Sequence, residues 1–147
     1  MPEILVAEDN PADVYLIREA LREHGVEHPI RVVPDGEEVL RMISPLDPAG
    51  EDLYLVLIIL DFNLPKHDGI EILERLRDNP KLAHVPVAVV TSSDSPRDRL
   101  IATQLGAACY LRKPSNLEQF LSLGAIFKSM LEQSSSIAEG AEKIEGQ

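Results

Sequence analysis

Apolar residues along the chain follow two alternating patterns. EILVAE (3–8), IRVVP (30–34), LYLVLIIL (53–60), VPVAVVT (85–91) and ACYLR (108–112) are short continuous runs, mostly rich in β-branched or aromatic residues, and predict five strands. Between them apolar positions recur every three or four residues. In 11–23, Val14, Ile17, Ala20 and Leu21 fall on one face, while Pro11 suits the first turn and Gly25 the stop. Segments 36–44, 68–78, 95–105 and 117–132 behave similarly, so strands and helices alternate five times.

Strands that are apolar throughout suit parallel pairing with both faces covered by helices. The expected fold is therefore α/β, a doubly wound (βα)5 of the flavodoxin-like type around a five-stranded parallel sheet, with its site at the carboxyl ends of the strands. SPLDPAGEDL (44–53) is long for a helix-to-strand connection and predicts a surface loop. From Ser134 the apolar period is lost, which predicts one domain over 1–132 and a frayed or disordered tail over 133–147.

Composition narrows the partners. The 147 residues carry 14 Lys+Arg against 25 Asp+Glu, a net charge of -11, which disfavours nucleic acid and anionic lipid and leaves protein as the expected partner. No apolar run approaches the roughly 20 residues of a membrane span. The opening MPEILVAEDN lacks the features of a secretory signal, and the single Cys109 permits no internal disulfide, so a cytoplasmic protein is expected. Cys109 reads as a core thiol. His24, His28, His67 and His84 are scattered without metal-ligand spacing and read as surface residues.

In a parallel sheet the carboxyl ends of the strands share one edge, which gathers Glu8, Asp9, Asp61, Thr91 and Lys113. Singly, each is an ordinary solvated strand end, and Glu8 and Asp9 are also candidates to cap the first helix together with Asn10. Jointly they say more. Three crowded carboxylates repel and raise one another's pKa unless a cation neutralises them, and an all-oxygen site with few protein ligands suits Mg2+.

VAEDNPAD, LDFNLPKHDG, VVTSS and LRKPSNLEQF resemble, in order, the four motif blocks of response-regulator receiver domains of two-component signalling (the CheY-like family), over roughly residues 2–132. The steps of 30 residues from Asp61 to Thr91 and 52 from Asp61 to Lys113 match the family. The resemblance implies that Asp61 is the phosphoacceptor for a sensor histidine kinase. It implies Mg2+ held by Asp9, Asp61 and the backbone carbonyl of Asn63, with Glu8 acting through water. Lys113 would pair with Asp61 and then with a phosphoryl oxygen, Thr91 and Tyr110 would be the switch, and Lys113-Pro114 would be a cis peptide bond. Asn63 and Ser93 stand where the family tunes acyl-phosphate hydrolysis. Such a protein is not an enzyme in the usual sense, although it assists its own phosphotransfer and autodephosphorylation.

Within that family, EDNPADVYLI, the 44–53 loop and KPSNLEQF are most similar to stand-alone regulators serving bacteriophytochrome-type histidine kinases. A receiver without an effector domain signals by binding a downstream protein, through the face made by the fourth helix, fifth strand and fifth helix. On the fifth helix, Phe120, Gly124, Phe127 and Leu131 form one stripe, and Leu123, Ile126 and Met130 a second. With Ile101 and Leu105 nearby, the second stripe predicts a homodimer face. Two readings compete: a degenerate receiver acting as a phosphorylation-independent scaffold, and a Mg2+-dependent phosphohydrolase of the haloacid-dehalogenase type. Intact Glu8, Asp9, Asp61, Thr91 and Lys113 oppose the first. The second needs a second aspartate as general acid, where this chain has Asn63, and a cap domain for which there is no room. A flavodoxin would need a Ser/Thr/Gly-rich phosphate loop in place of Asn10-Pro11-Ala12.

Overall fold

The structure is a computed structural model describing residues 2–44, 53–93 and 95–145, with side chains described through residue 133. Positions 45–52 of the predicted 44–53 loop lie outside the described residues. The elements run β1 (Glu3–Ala7), α1 (Pro11–Glu23), β2 (Ile30–Val33), α2 (Gly36–Met42), β3 (Leu55–Leu60), α3 (Gly69–Asp78), β4 (Val87–Thr91), α4 (Pro96–Gln104), β5 (Cys109–Arg112) and α5 (Leu117–Glu145). All strand pairs are parallel, in the order β2-β1-β3-β4-β5. The predicted architecture is the observed one.

Local chemistry sets the helix ends. Asn10 caps α1 by accepting from the Ala12 and Asp13 amides, Asp35 caps α2, Asp68 caps α3 and Ser95 caps α4. At the other end of α1, Gly25 takes φ +77°, and its amide bonds Arg22 O while the Val26 amide bonds Leu21 O. Gly106 closes α4 the same way, with φ +83° and bonds to Thr103 O and from Ala107 N to Ala102 O. These are paired C-terminal bonds that need a left-handed residue, a conformation glycine adopts without a Cβ clash.

Strand alternation divides the core between the two sheet faces. Leu5, Ala7, Ile58, Leu60, Val87 and Val89 pack with α2, α3 and α4 residues on one face. Ile4, Val6, Leu57, Ile59, Ala88 and Val90 pack on the other with Ile17 and Leu21 of α1 and Phe120, Leu123, Phe127 and Met130 of α5. Burial on both faces explains why these strands carry no polar alternation.

The fifth helix departs from expectation in two respects. Its buried stripe is Phe120, Leu123, Phe127 and Met130, because α5 rests on the sheet and on α1 at once and needs a wide apolar arc. Leu123 and Met130, expected to face water, are 7% and 8% exposed, and in that stripe only Ile126, at 37%, reaches solvent. Ile101 and Leu105 are half-buried. Leu123 and Met130 therefore serve the chain's own core, and the expected homodimer face is reduced to Ile126 with the half-buried Ile101 and Leu105. The helical backbone also continues to Glu145, past the boundary expected near 132. Residues 133–145 contain no proline and several good helix formers, so local propensity extends the helix after the apolar stripe ends.

Gly124 is where α5 meets α1 most closely. A Cβ there would collide with the Ala20 carbonyl oxygen and with His24 Nδ1, which is itself 2.9 Å from that oxygen. Gly124→Ala is expected to push the helices apart and lower the unfolding free energy by about 1–3 kcal/mol, the usual cost of overpacking. Urea unfolding measures it; an unchanged midpoint would show that the contact can relax freely.

Candidate functional site

The sheet ladder positions the site. The Asp61 amide bonds Ala7 O at 3.0 Å, the Glu8 amide bonds Val33 O at 3.1 Å, and the Lys113 amide bonds Thr91 O at 2.7 Å. Each site residue is thus the first position beyond a strand, still held by the hydrogen bonding of the strand beside it. Because β1 leads through α1 to β2 on one side and pairs with β3 on the other, Glu8, Asp9 and Asp61 straddle the point where the strand order reverses. Clefts in open α/β sheets form at such a point.

The predicted residues converge there. Glu8, Asp9 and Asp61 each offer a carboxylate oxygen within 4.8 Å of the others. Glu8 and Asp61 are buried, at 2% and 4% exposure, whereas Asp9 is exposed. Lys113 Nζ lies 2.6 Å from Glu8 Oε1 and 3.1 Å from Asp61 Oδ2. The Glu8 contact is an ion pair at short range rather than an aligned hydrogen bond. Glu8 Oε2 accepts from the Asp9 and Asn10 amides, and Asp61 Oδ1 accepts from the Asn63 amide at 2.9 Å. The donor set of three carboxylates is hard oxygen throughout and fits Mg2+ or a cation of like preference. Among the described residues, the cluster contains carboxylates only.

Thr91 is fully buried, and its Oγ1 accepts from Asn63 Nδ2 at 2.9 Å and from the Ser93 amide at 3.2 Å. Asn63 therefore links the aspartate to the hydroxyl, through its backbone on one side and its amide on the other. Tyr110 lies behind, 7% exposed, with its ring edge-on to Phe62 at 5.7 Å. The inward place that the resemblance implies for the signalling state is the place its ring already occupies. Gly69 permits the Phe62 position, since a Cβ there would overlap the Phe62 ring and Cα.

One expectation is corrected. No cis peptide bond occurs among the described residues, so Lys113-Pro114 is trans. The bond from Lys113 N to Thr91 O and the length of the side chain already bring Nζ to Glu8 and Asp61, and a trans bond is the lower-energy form when nothing requires the other.

Two residues went unread in the sequence. Asp13, in the first turn of α1, holds Lys113 Nζ at 2.8 Å through Oδ2. Its signal lay in EDNPAD, which sets a further carboxylate in the first turn of the helix that follows the strand-end acids. Arg99, on α4, places its guanidinium 4.8 Å from the Tyr110 ring centroid and donates to Tyr110 O at 3.2 Å. A charged residue on a surface helix carries no sequence signal for a cation–π contact.

Charge balance at the site is uneven. Burial pushes the Glu8 carboxyl up to about 7, the contact with Lys113 opposing this and the charge of Asp61 adding to it. Burial alone would lower the Lys113 pKa, but its contacts with the Asp13 and Glu8 carboxylates and the charge of Asp61 outweigh it and hold the ammonium protonated.

Comparison with known proteins identifies the family. Residues 4–123 match the family model described as response regulator receiver domain, and the chain belongs to that family. Response regulator Rcp1 of Synechocystis sp. is 33% identical over 120 residues, 82% of this chain and 82% of that protein. The transcriptional regulatory protein TrcR of Mycobacterium tuberculosis is 32% identical over 140 residues, which make up 95% of this chain and 49% of TrcR. Among solved structures, the phosphorylated cyanobacterial phytochrome response regulator RcpA superposes with a TM-score of 0.79 at 33% identity, covering 88% of this chain and 92% of that one. The Mn2+-bound form of Rcp1 gives 0.77 at 32% identity, covering 86% and 91%.

The raised Glu8 pKa sets a pH dependence. The unfolded chain releases this proton near the ordinary 4.5 and the folded chain near about 7, so between those values the folded state binds more protons and the Glu8 contribution to stability declines as pH rises. A divalent cation competes with the same proton. Mg2+ affinity is therefore expected to climb from about pH 5 to about pH 8 with net proton release. Calorimetric titration in two buffers of different ionisation enthalpy measures both quantities. The climb should flatten in Glu8→Gln, and a wild-type affinity independent of pH would contradict the assignment.

Proposed function

We propose that this chain is a phosphoacceptor signalling protein in which Asp61 takes the phosphoryl group of a phosphohistidine on a sensor histidine kinase. The observation that carries the reading is the joint placement of a buried Asp61 with Lys113 Nζ at 3.1 Å and the carboxylates of Glu8 and Asp9 beside it. An Asp61 carboxylate oxygen attacks phosphorus, the P–N bond of the phosphohistidine breaks, and the electron pair returns to the imidazole, which takes up a proton. Asp9, Asp61 and the Asn63 carbonyl would hold Mg2+, and Glu8, whose oxygens already serve two amides and Lys113, would reach it through water. When bound, Mg2+ supplies positive charge to offset the phosphoryl oxygens.

The chain's own residues do the rest. Lys113 stays charged against burial, and its Nζ, 3.1 Å from Asp61 Oδ2, is placed to meet an incoming phosphoryl oxygen. Thr91 reports the change, because its hydroxyl must leave Asn63 Nδ2 to turn toward a phosphoryl oxygen on Asp61. Tyr110 and Arg99 carry it to the α4, β5 and α5 surface, where a downstream protein binds. Similarity to Rcp1 and RcpA supports a phytochrome-type kinase as donor, and the net charge of -11 supports a protein rather than a nucleic acid or membrane as target. No helix of the described residues is long and apolar enough to cross a membrane.

Acetyl phosphate with Mg2+ is expected to add one phosphoryl group to the wild type and none to Asp61→Asn, by intact mass. Full labelling of Asp61→Asn would move the acceptor elsewhere. Thr91→Ala should retain Mg2+ affinity, whereas Asp9→Ala should lose it by about tenfold or more; equal losses in the two variants would show that their roles are misassigned.

A further inference from the structure

Lys113 carries three N–H donors, and three carboxylates surround its nitrogen: Glu8 Oε1 at 2.6 Å, Asp13 Oδ2 at 2.8 Å and Asp61 Oδ2 at 3.1 Å. Two of these belong to the cluster able to hold a cation; Asp13 does not. Nor is it the acceptor of the phosphoryl group. Its polar contact across the fold is Lys113, 100 residues away in sequence.

The carboxylate is well placed to act as a fixed point. Asp13 sits in the first turn of α1, where its amide donates to the capping Asn10 Oδ1 at 3.3 Å, and its side chain is 19% exposed. A lysine has a flexible four-carbon stem and a compact charge that follows the strongest acceptor. Glu8 and Asp61 both change during the cycle: Glu8 faces the cation, and Asp61 ceases to be a free carboxylate once phosphorylated. Asp13 is the one of the three whose charge and position the reaction leaves alone. Its side chain also approaches from α1, on a different element from the strand ends that carry Glu8 and Asp61.

We propose that Asp13 is a positioning residue, which holds the Lys113 ammonium beside Asp61 so that it meets the incoming phosphoryl group. The inference rests on Asp61 being the phosphoacceptor. Asp13 acts through Lys113 alone and touches neither phosphoryl group nor cation. It therefore governs the rate of phosphoryl uptake and leaves cation affinity alone.

A double-mutant cycle on the full chain tests this, with acetyl phosphate as donor, saturating Mg2+ and phosphorylation followed by intact mass. Asp13→Asn is expected to slow uptake by about tenfold, the size of a charge-assisted hydrogen bond partly compensated by the two that remain. Asp13→Glu should recover most of the rate, Mg2+ affinity should stay within about twofold in both variants, and in the Lys113→Ala background Asp13→Asn should have no further effect. A merely structural role for Asp13 would lower the urea midpoint and slow uptake equally in both backgrounds, which would overturn the proposal, as would an Asp13→Asn rate equal to that of the wild type. A wild type that never accepts a phosphoryl group would instead overturn the reading of Asp61 on which the inference rests, and the two failures are told apart by the wild-type measurement alone.

Discussion

The ammonium of Lys113 is the constraint on which the site depends. Glu8 and Asp61 are buried carboxylates at the ends of neighbouring strands, and burial of two like charges side by side is unfavourable without a cation between them. Lys113 supplies that charge from β5, across the width of β4, and Asp13 steadies it from α1. One positive group therefore ties together elements that are far apart in sequence. Burial still holds the Glu8 carboxyl up to about 7 against the pull of that ammonium, and the grouping of Glu8, Asp9 and Asp61 leaves a place for a divalent cation.

Behind this ionic rim the structure turns from charge to packing. Asn63 is the join, with its amide nitrogen on Asp61 and its side chain on Thr91. From Thr91 the path runs along β4 and β5 to Tyr110, whose ring is held between Phe62 and the guanidinium of Arg99. The proposed route from Asp61 to α4 uses the Asn63 contacts with Asp61 and Thr91, the β4–β5 ladder, and the Arg99 contact with Tyr110. Arg99 lies on the outer element of that path, where a cation over an aromatic face favours the buried ring.

Much of this was legible in the residues. Continuous apolar strands announced a parallel sheet covered on both faces, and the sheet in turn required Glu8, Asp9, Asp61, Thr91 and Lys113 to share one edge. What could not be read was whatever depends on two helices meeting. Leu123 and Met130 seemed surplus to a helix covering one sheet face, because the sequence does not show that α5 also packs on α1 through Gly124 and Ala20. Asp13 and Arg99 went unread for the same reason: their partners, Lys113 and Tyr110, come from other elements. The trans bond at Lys113-Pro114 corrects a family expectation rather than a physical one, since nothing in the residues themselves demanded the other isomer.

The central claim, that one lysine and a ring of carboxylates prepare Asp61 to receive a phosphoryl group, is tested most directly by a crystal structure of the chain with beryllofluoride and Mg2+. The account predicts beryllium bonded to an Asp61 oxygen, Lys113 Nζ within hydrogen-bond distance of a fluorine while still bound to Asp13, and Mg2+ on Asp9 and Asp61. Beryllium bonded to Asp9 or Glu8, or a Lys113 side chain turned away into solvent, would contradict it.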